Sequence, residues 1–439
     1  MLEPGLECVD DDGTTRHRHR LVSPLGEGGQ AWIWRAASSL GTDVAIKWFR
    51  PQLLQRDPGL ERRLRDLLAM GAPAPAFLWP EAIVRSEQRA GIGYRMPILP
   101  ADFVSLDALW RPETPALHPR TEAQIAIRFV AAFARLHSRE GCAYRDINKY
   151  NLVFRIADGA VHVLDNDNVS VNGEPSVMRG FPGFIAPEIE RDPQRDTTRE
   201  SDLHALAVYF FRLIMRGDPL AGQRALAPYR SDAERRAALY ADTPLFVFDP
   251  RDDRNAPVPG RHDQMRARWA YQPRVVKEAF TQAFTDGLQD PAARVSHSRW
   301  RLVLSQCIDG YFECGACTAQ HVDEGAATPT HCWHCHRPLY RPLRLRVRRP
   351  GRPEHSVCLT SGAALYAHHA SSTAAPDYDT PLARWEHAAR VLHNVGTSAW
   401  TVVGGGTTQV VAPGARVPLA PGTLVQCGAA RWDLAPEAA

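Results

Sequence analysis

The spacing of apolar and polar residues changes along this chain. Early alternating stretches predict strands, and longer stretches with a helical period follow them. From Leu343 onward, apolar and polar residues alternate between Gly and Pro turns, which is typical of β-structure. The pattern predicts a small β-rich lobe, a larger helical lobe with a ligand cleft between the two, and a separate all-β region. The predicted strands of the first part are 31–36, 43–48 and 94–98, and its predicted helices are 60–70, 122–137, 203–215, 275–287 and 298–307.

Composition and charge narrow the class of protein. A hydrophobic fraction of 44% and a charged fraction of 23% are ordinary for a globular protein that buries its own core. The 52 Lys and Arg nearly balance the 49 Asp and Glu, which argues against nucleic-acid or membrane partners. The most apolar run, 203–215, is too short to cross a bilayer, and the first 20 residues lack the apolar core of a signal peptide. We therefore expect a cytoplasmic protein with reduced thiols.

A glycine-rich turn and a strand lysine form the first candidate site. Gly26, Gly28 and Gly29 precede an apolar strand, and glycines let backbone N–H groups approach phosphates closely. Lys47 ends the apolar sequence Val-Ala-Ile-Lys, where it can neutralise an anionic ligand, and Glu61 on the next helix can orient it by an ion pair. Each has a plainer alternative: a structural turn, a lysine that extends to solvent, and a solvated helix charge.

Two polar segments follow in the helical part. Asp146 lies in a loop and is followed five residues later by Asn151, and Asp165 ends the predicted strand 161–164. Asp146 can accept a hydroxyl proton, while Asn151 and Asp165 carry oxygen ligands of the kind that Mg²⁺ prefers. Taken singly, each segment is better explained as a solvated polar turn.

A glycine loop, a strand lysine, an Asp-x4-Asn loop and an aspartate at a strand end, in this order, make up the protein-kinase signature set. Residues 18–307 therefore resemble a eukaryotic-like protein kinase. Further matches are Ala-Pro-Glu at 186–188, Ser201-Asp202 at the start of an apolar helix, and Arg294 before the final helix. The resemblance implies an α+β, bilobal kinase fold. The predicted parts are an N-terminal tail (1–17), an N-lobe (about 18–96), a hinge (97–100), a C-lobe (101–307), a zinc ribbon (309–338) and a β-sandwich (340–439).

The resemblance also implies residue roles with ATP and Mg²⁺. Lys47 would hold the ATP phosphates and Glu61 would orient it. Asp146 would orient the acceptor hydroxyl, and Asn151 with Asp165 would hold Mg²⁺. The remaining residues expected to bind ATP are Gly26, Gly28 and Gly29 in the glycine loop, Ala45 and Met96 beside the adenine, and Pro97 and Leu99 in the hinge.

Several positions depart from the family pattern. Asn148 stands where serine/threonine kinases carry a lysine, and Phe181 replaces a threonine of the peptide-positioning loop. Arg145 is kept and would suit an activation-segment phosphate, for which Ser170 and Ser176 are candidates. We predict a protein kinase directed at Ser or Thr of a partner in a bacterial stress or signalling system. The alternatives are a nucleotide-binding pseudokinase scaffold and a small-molecule kinase.

Two Cys-x-x-Cys pairs form the next candidate site. Cys314, Cys317, Cys332 and Cys335 have a spacing that fits tetrahedral thiolate coordination of a structural Zn²⁺. Redox activity is the rival interpretation, and a second pair close by argues against it. The predicted β-sandwich after the ribbon faintly resembles a forkhead-associated domain, in its Leu-x-Asn-x-Gly strand at 392–396 and its Pro-Gly turn at 421–422.

A narrower resemblance comes from three segments. Asp165-Asn166-Asp167, the helix start at 201–207 and Cys-Trp-His-Cys at 332–335 resemble kinases of tellurium-resistance-associated phosphorylation systems. That resemblance alone implies a von Willebrand A-like protein and a metal-dependent protein phosphatase as partners.

Overall fold

The structure, a computed structural model, describes residues 2–11, 16–170, 179–192, 194–325, 328–404 and 406–435. Contacts divide the chain into two units. Unit 1 comprises residues 1–117, 129–265 and 280–297, and unit 2 comprises 118–128, 266–279 and 298–439.

The first strands of unit 1 close into an antiparallel barrel with the order β1-β2-β3-β4-β6-β5. β1 lies in the predicted N-terminal tail, and it closes the barrel by pairing with both β2 and β5. The barrel interior is apolar, and helix α2 adds Leu60 and Leu64 to its core. The elements are β1 (Glu7–Asp10), β2 (Arg18–Glu27), β3 (Ala31–Ser38), β4 (Val44–Phe49), α1 (Pro51–Arg56), α2 (Leu60–Met70), β5 (Ala82–Arg85) and β6 (Gly93–Met96).

Helices dominate the next part of the chain, together with a three-stranded sheet of order β7-β8-β9. The strands are β7 (Phe103–Ser105), β8 (Leu152–Arg155) and β9 (Val161–Val163). Helix α5 is apolar on nearly all sides and is buried almost throughout, as expected for a central helix. The helices are α3 (Pro119–Leu136), α4 (Pro187–Arg191), α5 (Arg199–Met215), α6 (Asp232–Arg236), α7 (Asp263–Tyr271), α8 (Arg274–Phe284), α9 (Asp286–Gln289) and α10 (His297–Asp309).

Unit 2 contains a short hairpin and two larger sheets. The hairpin, β10 (Tyr311–Glu313) with β11 (Gln320–Val322), carries the first cysteine pair. A six-stranded sheet of order β13-β12-β21-β20-β17-β18 and a four-stranded sheet of order β14-β15-β16-β19 share one apolar core, which includes Trp385, Trp400 and Trp432. The elements are β12 (Arg344–Arg348), β13 (His355–Cys358), β14 (Ala364–Tyr366), α11 (Ala367–Ala370), β15 (Pro381–Glu386), β16 (Val391–Asn394), β17 (Trp400–Gly404), β18 (Thr407–Val411), β19 (Arg416–Pro418), β20 (Leu424–Cys427) and β21 (Ala430–Leu434).

Across the described ranges, no helix combines the length and the apolar character needed to span a membrane.

Candidate active site and cysteine cluster

The glycine loop joins β2 to β3 as an exposed turn. Gly28 N–H donates to Ala31 O at 3.0 Å, and Arg50 donates through Nε to Gly28 O at 3.1 Å. A Cβ placed on Gly26 or Gly29 would meet no atom within 4 Å, so packing within the protein does not require glycine at these positions. Their lack of a side chain is explained if a ligand approaches the loop backbone.

Lys47 is a buried cation on β4 that contacts two carboxylates. Its Nζ lies 2.7 Å from Asp167 Oδ1 and 3.3 Å from Asp165 Oδ1. Burial alone would lower the pKa of Lys47, but the two carboxylates outweigh burial and raise the pKa above its ordinary value. Lys47 therefore stays charged, as binding of phosphate oxygens requires.

Tyr94 completes the surroundings of Asp167. Its hydroxyl donates to Asp167 Oδ1 at 2.8 Å, and both side chains are buried. Burial and the neighbouring carboxylate raise the pKa of Tyr94 well above its usual value, so Tyr94 remains a donor. Asp167 is separated along the chain from Lys47 by 120 positions and from Tyr94 by 73 positions. Of these three residues, only Lys47 was predicted from the sequence as a site residue.

Asp165 differs from Asp167 in exposure and backbone conformation. It follows β9 with φ +50°, a left-handed conformation that is uncommon for residues other than glycine. Its side chain is 36% exposed, against 3% for Asp167. Of the two carboxylates, Asp165 is therefore the one accessible to a metal ion.

Asp146 lies in the loop before β8 and accepts hydrogen bonds from two amides. Asn148 Nδ2 donates to Asp146 Oδ1 at 3.0 Å, and Asn151 Nδ2 donates to Asp146 Oδ2 at 2.9 Å. Burial raises the pKa of Asp146, Asn148 lowers it, and the charge of Asp165 raises it again, to a value of about 6. Asp146 is thus ionised at neutral pH and more basic than an ordinary aspartate, which suits a group that accepts a hydroxyl proton.

The loop that carries Asp146 is held by helix α5. Asp202 is buried and accepts from the backbone N–H of Tyr144 at 2.5 Å and of Arg145 at 2.9 Å. Arg145 has φ +76°, so this hydrogen-bonded anchor stabilises an unfavourable backbone conformation. Tyr144 also donates through its hydroxyl to Leu164 O, next to Asp165. The loop and the strand end are therefore fixed relative to each other.

Glu61 has different partners from those expected. Its Oε1 accepts from Arg65 at 2.8 Å and from Arg85 at 2.7 Å, and these bonds lower the pKa of Glu61. Among the described residues, the salt bridges of Lys47 are those with Asp165 and Asp167. The structure thus groups Lys47, Asp146, Asn151 and Asp165 but places Glu61 in an arginine cluster.

The residues expected around adenine lie together at the end of the barrel. Ala45 on β4 is the register partner of Met96 on β6, and both belong to the same apolar cluster. Pro97 is exposed and Leu99 is half-buried in the segment that follows β6.

Of the two serines predicted to accept a phosphate, the structure describes only Ser170. Ser170 is buried, and its hydroxyl accepts from Ala143 N–H at 3.1 Å, so it is inaccessible to another enzyme in this conformation. Ser176 lies outside the described residues. Arg294, one of the further matches to the kinase pattern, makes a bidentate pair with Glu188 at distances of 2.9 and 2.6 Å.

The four cysteines of unit 2 converge. Cys314 Sγ lies 3.7 Å from Cys335 Sγ, and Cys317 Sγ lies 3.6 Å from Cys332 Sγ. These separations fit a tetrahedral Zn²⁺ site, since Zn–S bonds of about 2.3 Å place sulfurs about 3.8 Å apart.

The two cysteine pairs also share a backbone pattern. Backbone N–H groups donate to Cys314 Sγ and Cys332 Sγ at 3.4 Å each. Each pair is followed by a residue with positive φ, Thr318 and His336 respectively. The local geometry fits the predicted zinc centre at both pairs.

A second group of metal-type side chains in unit 2 escaped sequence analysis. We call it the Asp309 cluster; its members are Asp309, His355, His368, His369 and Tyr378. Asp309 Oδ2 accepts from His355 Nε2 at 2.7 Å, from Tyr378 Oη at 2.9 Å and from His369 Nε2 at 3.2 Å. No sequence spacing indicates this group, because its members come from α10, β13, α11 and a loop.

The geometry of unit 1 is that expected of a protein kinase fold, with a glycine loop, a buried strand lysine and two carboxylate-bearing segments on one site. No family model matches the chain. Individual relatives among known proteins nevertheless support this class.

The relatives found are bacterial serine/threonine protein kinases. The DNA damage-responsive serine/threonine-protein kinase RqkA of Deinococcus radiodurans is 29% identical over 244 residues, which are 54% of this chain and 34% of that protein. The serine/threonine-protein kinase AfsK of Streptomyces griseus is 26% identical over 206 residues, 44% of this chain and 24% of that protein. The probable serine/threonine-protein kinase PknB of Lactococcus lactis is 24% identical over 218 residues, 48% of this chain and 33% of that protein. The matches thus span between 24% and 34% of the length of these relatives, and they support a kinase fold and kinase function.

Proposed function

We propose that this protein is an ATP- and Mg²⁺-dependent protein kinase that phosphorylates serine or threonine of a partner protein. The observation that carries the proposal is the grouping of a charged, buried Lys47 with Asp165 and with Asp146, whose pKa is about 6. Lys47 binds phosphate oxygens, and Asp146 accepts a hydrogen bond from the acceptor hydroxyl and orients it. Asn151 and Asp165 hold Mg²⁺ through side-chain oxygens; the ion, when bound, neutralises charge on the phosphates.

Labelled ATP and Mg²⁺ test this proposal. The purified chain is incubated with candidate partner proteins, and phosphosites are mapped by mass spectrometry. We expect transfer to Ser or Thr by the wild type, and loss of at least about 100-fold in Asp146→Ala and Asp165→Ala. The matched control is Asp158→Ala, which removes an exposed carboxylate paired with Arg155 and should leave transfer unchanged. Equal labelling by the Asp146 variant and the wild type would contradict the assigned roles.

A pseudokinase scaffold is the second candidate. Asn148 favours it, because this residue stands where serine/threonine kinases carry a lysine and its amide binds Asp146 instead. A scaffold would show ATP-dependent thermal stabilisation without turnover, whereas the kinase shows both.

The zinc ribbon and the β-sandwich, in this proposal, recruit the substrate. Four thiolates hold a structural Zn²⁺, and the two sheets form a forkhead-associated-like sandwich beside the zinc ribbon. The narrower resemblance selects a von Willebrand A-like protein and a metal-dependent phosphatase as the first partners to test.

A further inference from the structure

On the basis of the proposed kinase function, we propose that Asp167, held by Tyr94, positions Lys47 for the phosphates of ATP in place of a carboxylate from helix α2. Asp167 is a positioning residue in this scheme, because it acts through Lys47. Tyr94 supports it from the neighbouring strand.

Register explains how the three side chains meet. Lys47 on β4 and Tyr94 on β6 are register partners on neighbouring strands, so their side chains lie on the same face of the sheet. Both reach the same atom, Asp167 Oδ1, at 2.7 and 2.8 Å. Two neighbouring strands thus fix one carboxylate, and its burial strengthens the charged hydrogen bonds it accepts.

The two carboxylates near Lys47 then have different tasks. Asp167 is buried and its Oδ1 already accepts two donors, whereas Asp165 is partly exposed. An ammonium group has three N–H donors. With one directed to Asp167 and one to Asp165, a third remains for a phosphate oxygen.

Helix α2 offers no comparable contact at Lys47. It packs its apolar side, with Leu60, Leu64 and Leu67, into the protein. Glu61 is committed to Arg65 and Arg85 near the surface. Removal of the Glu61 carboxylate should therefore disturb the arginine cluster without changing the surroundings of Lys47.

Comparison of a ligand that carries phosphates with one that lacks them separates the positioning of Lys47 from a general effect of a substitution on the structure. We would measure dissociation constants of ATP and of adenosine, which lacks phosphates, for the wild type, Asp167→Asn, Tyr94→Phe and Glu61→Gln. The matched control is Asp57→Asn, which removes a carboxylate paired with Arg63. We expect the preference for ATP over adenosine to fall about tenfold in Asp167→Asn, about threefold in Tyr94→Phe, and less than twofold in the other two.

A Lys47→Met background and the effect of Mg²⁺ on ATP binding test whether Asp167 acts through Lys47 and not as a metal ligand. In a Lys47→Met background, Asp167→Asn should no longer change the preference, because its effect passes through Lys47. Mg²⁺ should still strengthen ATP binding in Asp167→Asn, and should strengthen it far less in Asp165→Asn.

The inference is overturned if Glu61→Gln lowers the preference as much as Asp167→Asn does. It is also overturned if Asp167→Asn weakens ATP and adenosine equally, or removes the Mg²⁺ effect. Wild-type protein that binds no ATP contradicts the proposed function and the inference together. Wild-type transfer with an unchanged preference in Asp167→Asn contradicts the inference alone.

Discussion

Two groups of metal-type side chains occur among the described residues of unit 2, and they differ in the partners of their ligand atoms. In the cysteine cluster, four sulfurs face one another in two close pairs and backbone N–H groups donate to two of them, an environment that suits thiolates bound to a cation. In the Asp309 cluster, one carboxylate faces three donors. His369 Nδ1 accepts the N–H of Tyr366, which leaves its Nε2–H to donate to Asp309. Ligand atoms thus lie close together in both groups; the four sulfurs have the geometry of a zinc site, whereas Asp309 already has three hydrogen-bond donors.

The largest expected effect comes from the cysteine cluster. Structural zinc supplies about 10–16 kcal/mol of apparent binding free energy in small domains, so Cys317→Ser should lose the metal and unfold the β10–β11 hairpin and the segment 332–335. Elemental analysis and amide hydrogen exchange measure both effects. Cys427→Ser, which alters a cysteine of the six-stranded sheet, should keep one zinc per chain. Retention of zinc in the Cys317 variant would refute the four-thiolate site.

A smaller effect is expected at the Asp309 cluster. Asp309→Ala leaves three donors without their acceptor, two of them on the buried residues His369 and Tyr378, and should lower the free energy of unfolding of unit 2 by about 3–5 kcal/mol, with zinc content unchanged. Local hydrogen exchange in residues 355–369 reports the change. Asp379→Ala removes an exposed carboxylate paired with Arg128 and should cost less than about 1 kcal/mol. A fall in metal content on loss of Asp309 would mean that this cluster also binds an ion.

The smallest effect is a dependence on pH. Burial, with the adjacent His369, lowers the pKa of His368 to about 3, below the value of about 6.5 in an unfolded chain. Below pH 6.5 the unfolded state therefore binds a proton that the folded state does not, and stability falls as pH falls towards 3. The slope is about 1.4 kcal/mol per pH unit for one proton.

A substitution of His368 tests whether this residue causes the pH dependence of stability. His368→Gln should flatten the pH dependence of hydrogen exchange in residues 355–369 between pH 6 and pH 4. Asp309 contributes in the same direction but below about pH 4, since His369 and His355 outweigh burial and hold the pKa of Asp309 below its usual range. A slope as steep in the variant as in the wild type would assign the effect to another group.

Sequence patterns predicted most of the fold of unit 1 because strands and helices there follow local periodicity. The predicted helix 60–70 is α2, and the predicted helix 203–215 lies within α5. The spacing of Lys47, Asp146 and Asp165 likewise indicated one site. Relatives among bacterial kinases support the kinase fold and function that these residues imply.

The rest of the site depends on contacts that no local spacing encodes. Tyr94 and Asp167 meet Lys47 only because β4 and β6 pair and because the turn after β9 projects a second carboxylate inward. Glu61 illustrates the opposite problem. Its helix position fits an ion pair with Lys47, but two arginines lie closer, one of them four residues along the same helix.

The closure of the barrel by β1 has a practical consequence. A version of the chain that begins at Arg18, as the sequence boundaries would recommend, lacks the strand that pairs with β2 and β5. It would expose two sheet edges at once, with unsatisfied backbone groups that readily recruit strands from other molecules. Recombinant work on unit 1 should therefore retain residues 7–10, because a fragment without them is expected to aggregate.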